Sequence, residues 1–198
     1  MKGCIAALGI IVAVALIALG VFSYRVNQAG DKTPTRIVLK ASEEAAKSLD
    51  NKVDTITKAV ATASSAAKPV PIKIVVTDEE LNSKLAQLGE VRSGDLLMRN
   101  IRVQTFPNEI EIAGQATFAA IELPFTMTAG LTVQEGKPLV SLKSAQFGSL
   151  PAPDPLKAQL GTILQDQIST LLANSLLSIE EIHIEQGSIT LIGSAKPR

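Results

Sequence analysis

Few side chains in this sequence could carry acid–base, nucleophilic or metal chemistry, and their spacing argues against all three. His183 is the single histidine and Cys4 the single cysteine. A two-imidazole site, a cysteine-based zinc site and an intrachain disulfide are therefore excluded. His183 stands in the strand-like run Ile182-His183-Ile184, which turns its ring away from both isoleucines and toward solvent. Cys4 lies inside an apolar run and reads as a small membrane residue. Glu109, Glu111 and Glu122 occupy the polar positions of strand patterns. Asp78-Glu79-Glu80 opens a helix, where negative charge suits the helix dipole. The motifs GxSxG, HExxH, GxGxxG and the P-loop are all missing from the sequence. An enzyme is not expected, nor a cofactor or a metal.

What remains is apolar chemistry. Phe125, Met127, Leu164 and Ile168 fall on the apolar faces of a strand and a long helix. They are the candidate walls of a groove for a lipid or fatty-acyl chain. A tail of about fourteen methylenes would bring on the order of 10 kcal/mol of burial, at ~0.8 kcal/mol per CH₂, before ordering costs. The same four residues, with Ile112, Phe118, Leu123 and Leu171, can equally form a plain core.

The elements that must position these side chains read as follows. Ile72–Val76 is a short strand. Thr77 caps the next helix, and Glu80, three residues on, completes a capping box; that helix carries Leu81, Leu85 and Leu88 and stops near Gly89. From Ile110 to Phe118 and from Ile121 to Val133 apolar residues alternate with polar ones, the period of half-buried strands. Ile101 and Val103 extend the pattern upstream and Leu139–Phe147 downstream. Asp154 is placed to cap a helix starting at Pro155, whose apolar face runs from Leu156 to Leu176. A hairpin with a turn at Gln186-Gly187 closes the chain. The expected fold is α+β: a curved antiparallel sheet wrapped on a long amphipathic helix, preceded by an N-terminal transmembrane helix and a helical stalk.

Cys4–Phe22 is uncharged and as a helix spans about 28 Å, close to the thickness of a bilayer core. It is expected as a retained single-pass anchor within residues 1–25; a cleaved signal peptide ending near Ala18-Leu19-Gly20 is the competing reading. Residues 26–69 form a linker and helical stalk. The helix composition runs from Ile37 to Lys68, with a thin stripe at Ala45, Leu49, Val53, Ile56, Val60, Ala63 and Ala67. A solvated spacer is the plain reading, with docking on the domain or self-association through the stripe as alternatives. Residues 70–198 form the domain, expected outside the cytoplasm. Residues 1–69 carry nine basic and five acidic groups and residues 70–198 ten and fourteen. Positive charge thus lies beside the membrane, and an acidic domain with 3% aromatic residues argues against nucleic acid.

The segments VVTDEELNSKLAQL, IEIAGQATFAAIELPFTMTAGLTV, GSLPAPDPLKAQL and IEEIHIEQGSITLIG resemble the extracytoplasmic domain of YpmS-like bacterial membrane-anchored proteins. The pattern is also similar to LmeA-type lipid-binding proteins and, more distantly, to the tubular lipid-binding superfamily. The resemblance covers roughly residues 70–198 and the anchor, not the stalk. It implies a curved sheet around a long helix with lipid chains held between them, and it transfers no functional residue. Two functions are therefore expected: a membrane-anchored domain that binds lipid or another apolar ligand, or an envelope scaffolding domain with a filled core that binds a protein partner.

Overall fold

Two antiparallel sheets carry the strands, where the alternation alone suggests one. The computed structural model describes residues 41–197, except 94, 95, 119, 120, 135, 155, 156, 159, 160, 163, 164, 166–168 and 170–176. The elements are α1 (Glu43–Ala66), β1 (Val70–Thr77), α2 (Asp78–Leu88), β2 (Val91–Ser93), β3 (Leu96–Phe106), β4 (Glu109–Phe118), β5 (Ile121–Gln134), β6 (Lys137–Phe147), β7 (Leu150–Pro151), β8 (Leu177–Glu185) and β9 (Ser188–Ala195). Strands β2 to β7 pair in chain order to make the larger sheet, and β1-β9-β8 make the smaller. The anchor expected over residues 4–22 lies outside the described residues, and among those no helix is long and apolar enough to cross a membrane.

The mixed α+β class follows the sequence pattern. Across the larger sheet Ile112 pairs with Met127 and Met127 with Ala145; one step along, Gly114 pairs with Phe125 and Phe125 with Phe147. Because side chains alternate, these rows share one face. On it Ile110, Ile112, Ala116, Phe125, Met127 and Ala129 are buried, while Glu111, Thr126 and Thr128 on the other face keep part of their surface in water. One core cluster joins this face to Leu49 of α1, Leu81 and Leu85 of α2, and Ile184 and Ile189 of the smaller sheet.

The smaller sheet ties the ends of the domain together. Strand β1 pairs with β9 from Val70 opposite Ala195 to Thr77 opposite Ser188. Between β8 and β9 the register shifts at Ile179/Glu181, and there a Cβ on Gly193 would collide with the Ser178 carbonyl oxygen. Glycine is what lets the two backbones approach.

The stalk reading needs correction: α1 is a docked layer rather than a solvated spacer. Ala46, Leu49 and Ala63 are buried. The Ser42 hydroxyl caps the helix by accepting from Ala45 N–H at 3.1 Å, while Ser42 N–H donates to Ser83 Oγ of α2 at 2.9 Å. Lys52 pairs with Glu80, and Lys84 with Asp50 at 2.8 Å. A thin alanine stripe suffices because small side chains let the helix approach closely. Left-handed Ala67, φ 49°, ends α1 ahead of Pro69.

Past β7 the chain is helical at the described positions 154, 157, 158, 161, 162, 165 and 169. Asp154 does not act as the cap expected of it. It is itself helical and pairs with Lys157 at 2.6 Å, and the first turn closes from Lys157 N–H to the Pro153 carbonyl at 3.0 Å.

Candidate functional site

Phe125 and Met127, two of the four candidate wall residues, sit side by side on the buried face of β5, each 1% exposed. A Cβ at Gly114 would fall 3.0 Å from Phe125 Cε1, so the phenyl ring lies over the bare glycine backbone of the neighbouring strand. Met127 lies between Ile112 and Ala145. Protein atoms surround both side chains. Leu164 and Ile168 lie outside the described residues. Toward the other end of the face the packing loosens: Leu131, Val140 and Leu142 of the larger sheet and Ile182 and Leu191 of the smaller are only partly buried. Away from this face, a shallow open dish of about 590 Å³ is bounded by Pro69, Pro71, Ile72 and Ile192.

The helices close the open sheet edges with side chains. Beyond β2, the outer edge of β3 is closed by α2. Val103 N–H donates to Asn82 Oδ1 at 2.9 Å, and Asn82 Nδ2 donates to the Val103 carbonyl at 2.6 Å. One turn earlier, Asp78 accepts from Thr105 N–H and from Thr105 Oγ1, both at 2.9 Å. Gly187 N–H then donates to the Thr105 carbonyl, and Asp78 N–H to the Gly187 carbonyl. On the opposite side, Val140 N–H of β6 donates to Gln165 Oε1 at 2.8 Å and Gln165 Nε2 donates to the Pro138 carbonyl at 3.1 Å. An edge strand presents unpaired N–H and C=O groups, and an amide side chain can answer both. At β1, Lys52 Nζ donates to the Val75 carbonyl at 2.6 Å.

These polar residues are what sequence reasoning missed. Asp78 reads as part of an acidic helix start, yet it is buried, and so is Asn82. A signal was present: they share a helical stripe with Leu81 and Leu85, so the apolar face of α2 carries two polar positions. The capping box was legible and forms as expected, with Glu80 N–H donating to Thr77 Oγ1 and Thr77 N–H to Glu80 Oε2. Its carboxylate does more, pairing with Lys52 Nζ at 2.5 and 2.7 Å and accepting from Ser48 at 2.5 Å. Burial pushes the Glu80 carboxyl up, but Lys52, Ser48 and the Thr77 N–H more than offset this and hold it below the usual range. Asp78 is the opposite case. Burial raises it, and the bonds from Thr105 only partly compensate.

Elsewhere the ionisable groups form surface pairs. His183 Nε2 meets Glu181 at 2.8 Å on the exposed face of β8, and Lys143 meets Glu109 at 2.6 Å. Among the described residues no three His, Cys, Asp or Glu side chains gather to hold a metal ion. The site can exclude water and enclose apolar groups. A scan against protein-family models and a search of curated proteins both return no match for the chain.

Proposed function

We propose that the chain is a non-catalytic, membrane-tethered binding protein whose domain stands outside the cytoplasm and takes a lipid or another apolar molecule as its ligand. In this reading residues 4–22 are the anchor, and the larger sheet wraps the long helix as in the YpmS-like and tubular lipid-binding proteins the sequence resembles. The supporting observation is the one-sided larger sheet, whose apolar face passes from a tightly packed region at Phe125 and Met127 to a partly buried one at Leu131, Val140 and Leu142. An acyl chain laid along that loose end would gain burial without needing a polar motif. The tether keeps local lipid concentration high, so modest affinity suffices.

The complete burial of Phe125 and Met127 favours a second reading, an envelope scaffolding domain with a filled core that binds a protein partner. Self-association through α1 would use only the part of its surface left free by docking. Native mass spectrometry of the full chain, with bound lipids extracted and analysed, separates the two. Retained acyl lipid, lost in Leu131→Trp while the melting temperature holds, supports lipid binding. A lipid-free chain in which Leu131→Trp costs ~1–3 kcal/mol through overpacking leaves the scaffolding reading standing.

A further inference from the structure

We propose that the outer face of the smaller sheet is a dimer surface, on which a second copy of the chain packs face to face about a twofold axis parallel to the strands. Strand register fixes which side chains lie there. Lys73 of β1 and Glu181 of β8 both pair with Ile192 of β9; two residues along, Val75 and His183 both pair with Thr190. Alternation turns these six away from the core, since their neighbours Ile74, Ile182, Ile184 and Ile189 point into it. Val75 is 40% exposed, and the side chains of Glu181 and His183 are 59% and 54% exposed. Charge is split across this face. Lys73 stands on the β1 side and Glu180, Glu181 and Glu185 on the β8 side, all exposed, with Ile192 and Thr190 between them. A twofold axis along β9 lays β1 of one copy over β8 of the other. Each Lys73 then meets a Glu181, and each Ile192 meets its own counterpart, so that two ion pairs flank an apolar centre. An axis across the strands would instead stack glutamates on glutamates. The shallow dish over Ile192, between Lys73 and Glu180, leaves room for the second isoleucine. Three strands at ~4.8 Å and eight residues at ~3.3 Å make a face of roughly 14 by 26 Å. That is about half of the ~800 Å² per partner of a stable interface, so the contact is weak in free solution. The anchor proposed above would confine the copies to one surface and raise their effective concentration; in this respect the inference rests on the tethered reading. It does not depend on what the core binds.

Cross-linking with charge reversal tests the surface. Packed sheets stand about 10 Å apart, too far for a disulfide but within reach of a short bis-maleimide. The axis along β9 brings Thr190 opposite its own counterpart, so Thr190→Cys is introduced in a Cys4→Ser background. Thr55→Cys, on the exposed side of α1, serves as the comparison and reports self-association through the helix instead. The full chain is reconstituted in phosphatidylcholine vesicles and the cross-linked dimer is read on a denaturing gel. Thr190→Cys is expected to give at least about fivefold more dimer than Thr55→Cys. Adding Lys73→Glu or Glu181→Lys should each cut that yield at least about fivefold, because like charges then face each other, and the two reversals together should restore it. Both side chains are exposed, so an unchanged melting temperature confirms that the fold is kept. A Thr190→Cys yield no higher than that of Thr55→Cys overturns the proposal. So does a yield that ignores Lys73→Glu, or a double reversal that fails to recover it. Vesicle flotation keeps the two ideas separable: a chain that does not float, yet cross-links at Thr190→Cys with the same charge dependence at higher protein concentration, keeps the dimer and loses the anchor.

Discussion

The two outer edges of the larger sheet are closed by the same chemistry and to very different depths. At β3, α2 sends in Asp78 and Asn82, one turn apart, and all their bonds to Val103 and Thr105 are buried. At β6, one half-buried glutamine answers Val140 and Pro138. Any helix can blunt a sheet edge, but the strength of the closure is set by what happens to the strand when the side chain is gone. A buried N–H or C=O left without a partner costs about 1–3 kcal/mol, whereas one that water can reach costs far less. The β3 edge is therefore closed within the core, and among the described residues the side-chain bonds at the β6 edge lie nearer the surface.

Substitutions at the two edges sharpen this contrast. Asn82→Ala should be the most damaging, at about 3 kcal/mol in urea unfolding, because it orphans both Val103 groups in the interior. Glu80→Gln should cost ~1–2 kcal/mol by weakening the link between α1 and α2 through Lys52, which is itself partly exposed and so not stranded. Gln165→Ala should cost less than about 1 kcal/mol, since solvent can take over its bonds. An Asn82→Ala effect no larger than that of Gln165→Ala would erase the distinction between the edges.

The smallest shift is expected from Asp78→Asn, within about 0.5 kcal/mol at neutral pH. The amide keeps an acceptor for Thr105 N–H and a donor for Thr105 Oγ1 while removing the desolvation of a charge. Its signature is in the pH dependence. Asp78 has a raised folded pKa, so its charged form costs stability, and that cost fades as pH falls through the raised value toward 3.8. Glu80 has a lowered folded pKa, so its contribution is complete above 4.5 and is lost as pH falls through the lower folded value. The two oppose each other on acidification. Asp78→Asn should therefore lose stability more steeply than the parent between pH 7 and 4, and Glu80→Gln less steeply below pH 4.5. Thermal melts carried from neutral pH to below 4.5 check both slopes.

Much of the fold is visible in the sequence, and the reason differs from element to element. Strands β4 and β5 show because each residue's neighbours two places away share its environment. The α2 start shows because Thr77 and Glu80 meet through three residues of local backbone. Pairing of β1 with β9, and of Lys52 with Glu80, is set by the fold's closure and leaves no local periodicity to read. The docking of α1 was open for a related reason: a stripe of alanines is as compatible with close packing as with solvent. At the candidate site the sequence placed Phe125 and Met127 on the correct face and grouped them by alternation. It could not show that Gly114 and Ala145 leave space that those side chains fill, because that depends on register between strands.

The central claim, that the side-chain bonds of one edge lie in the core and those of the other nearer the surface, is tested most directly by native-state hydrogen exchange at two amides. Val103 N–H and Val140 N–H each donate to a side-chain amide oxygen, at 2.9 and 2.8 Å, so the bonds themselves are alike. Val103 should exchange only on global unfolding, and Val140, corrected for intrinsic rates, at least about tenfold faster through local opening of the β6 edge. Equal protection at the two amides, with both following the global unfolding free energy, would contradict the account.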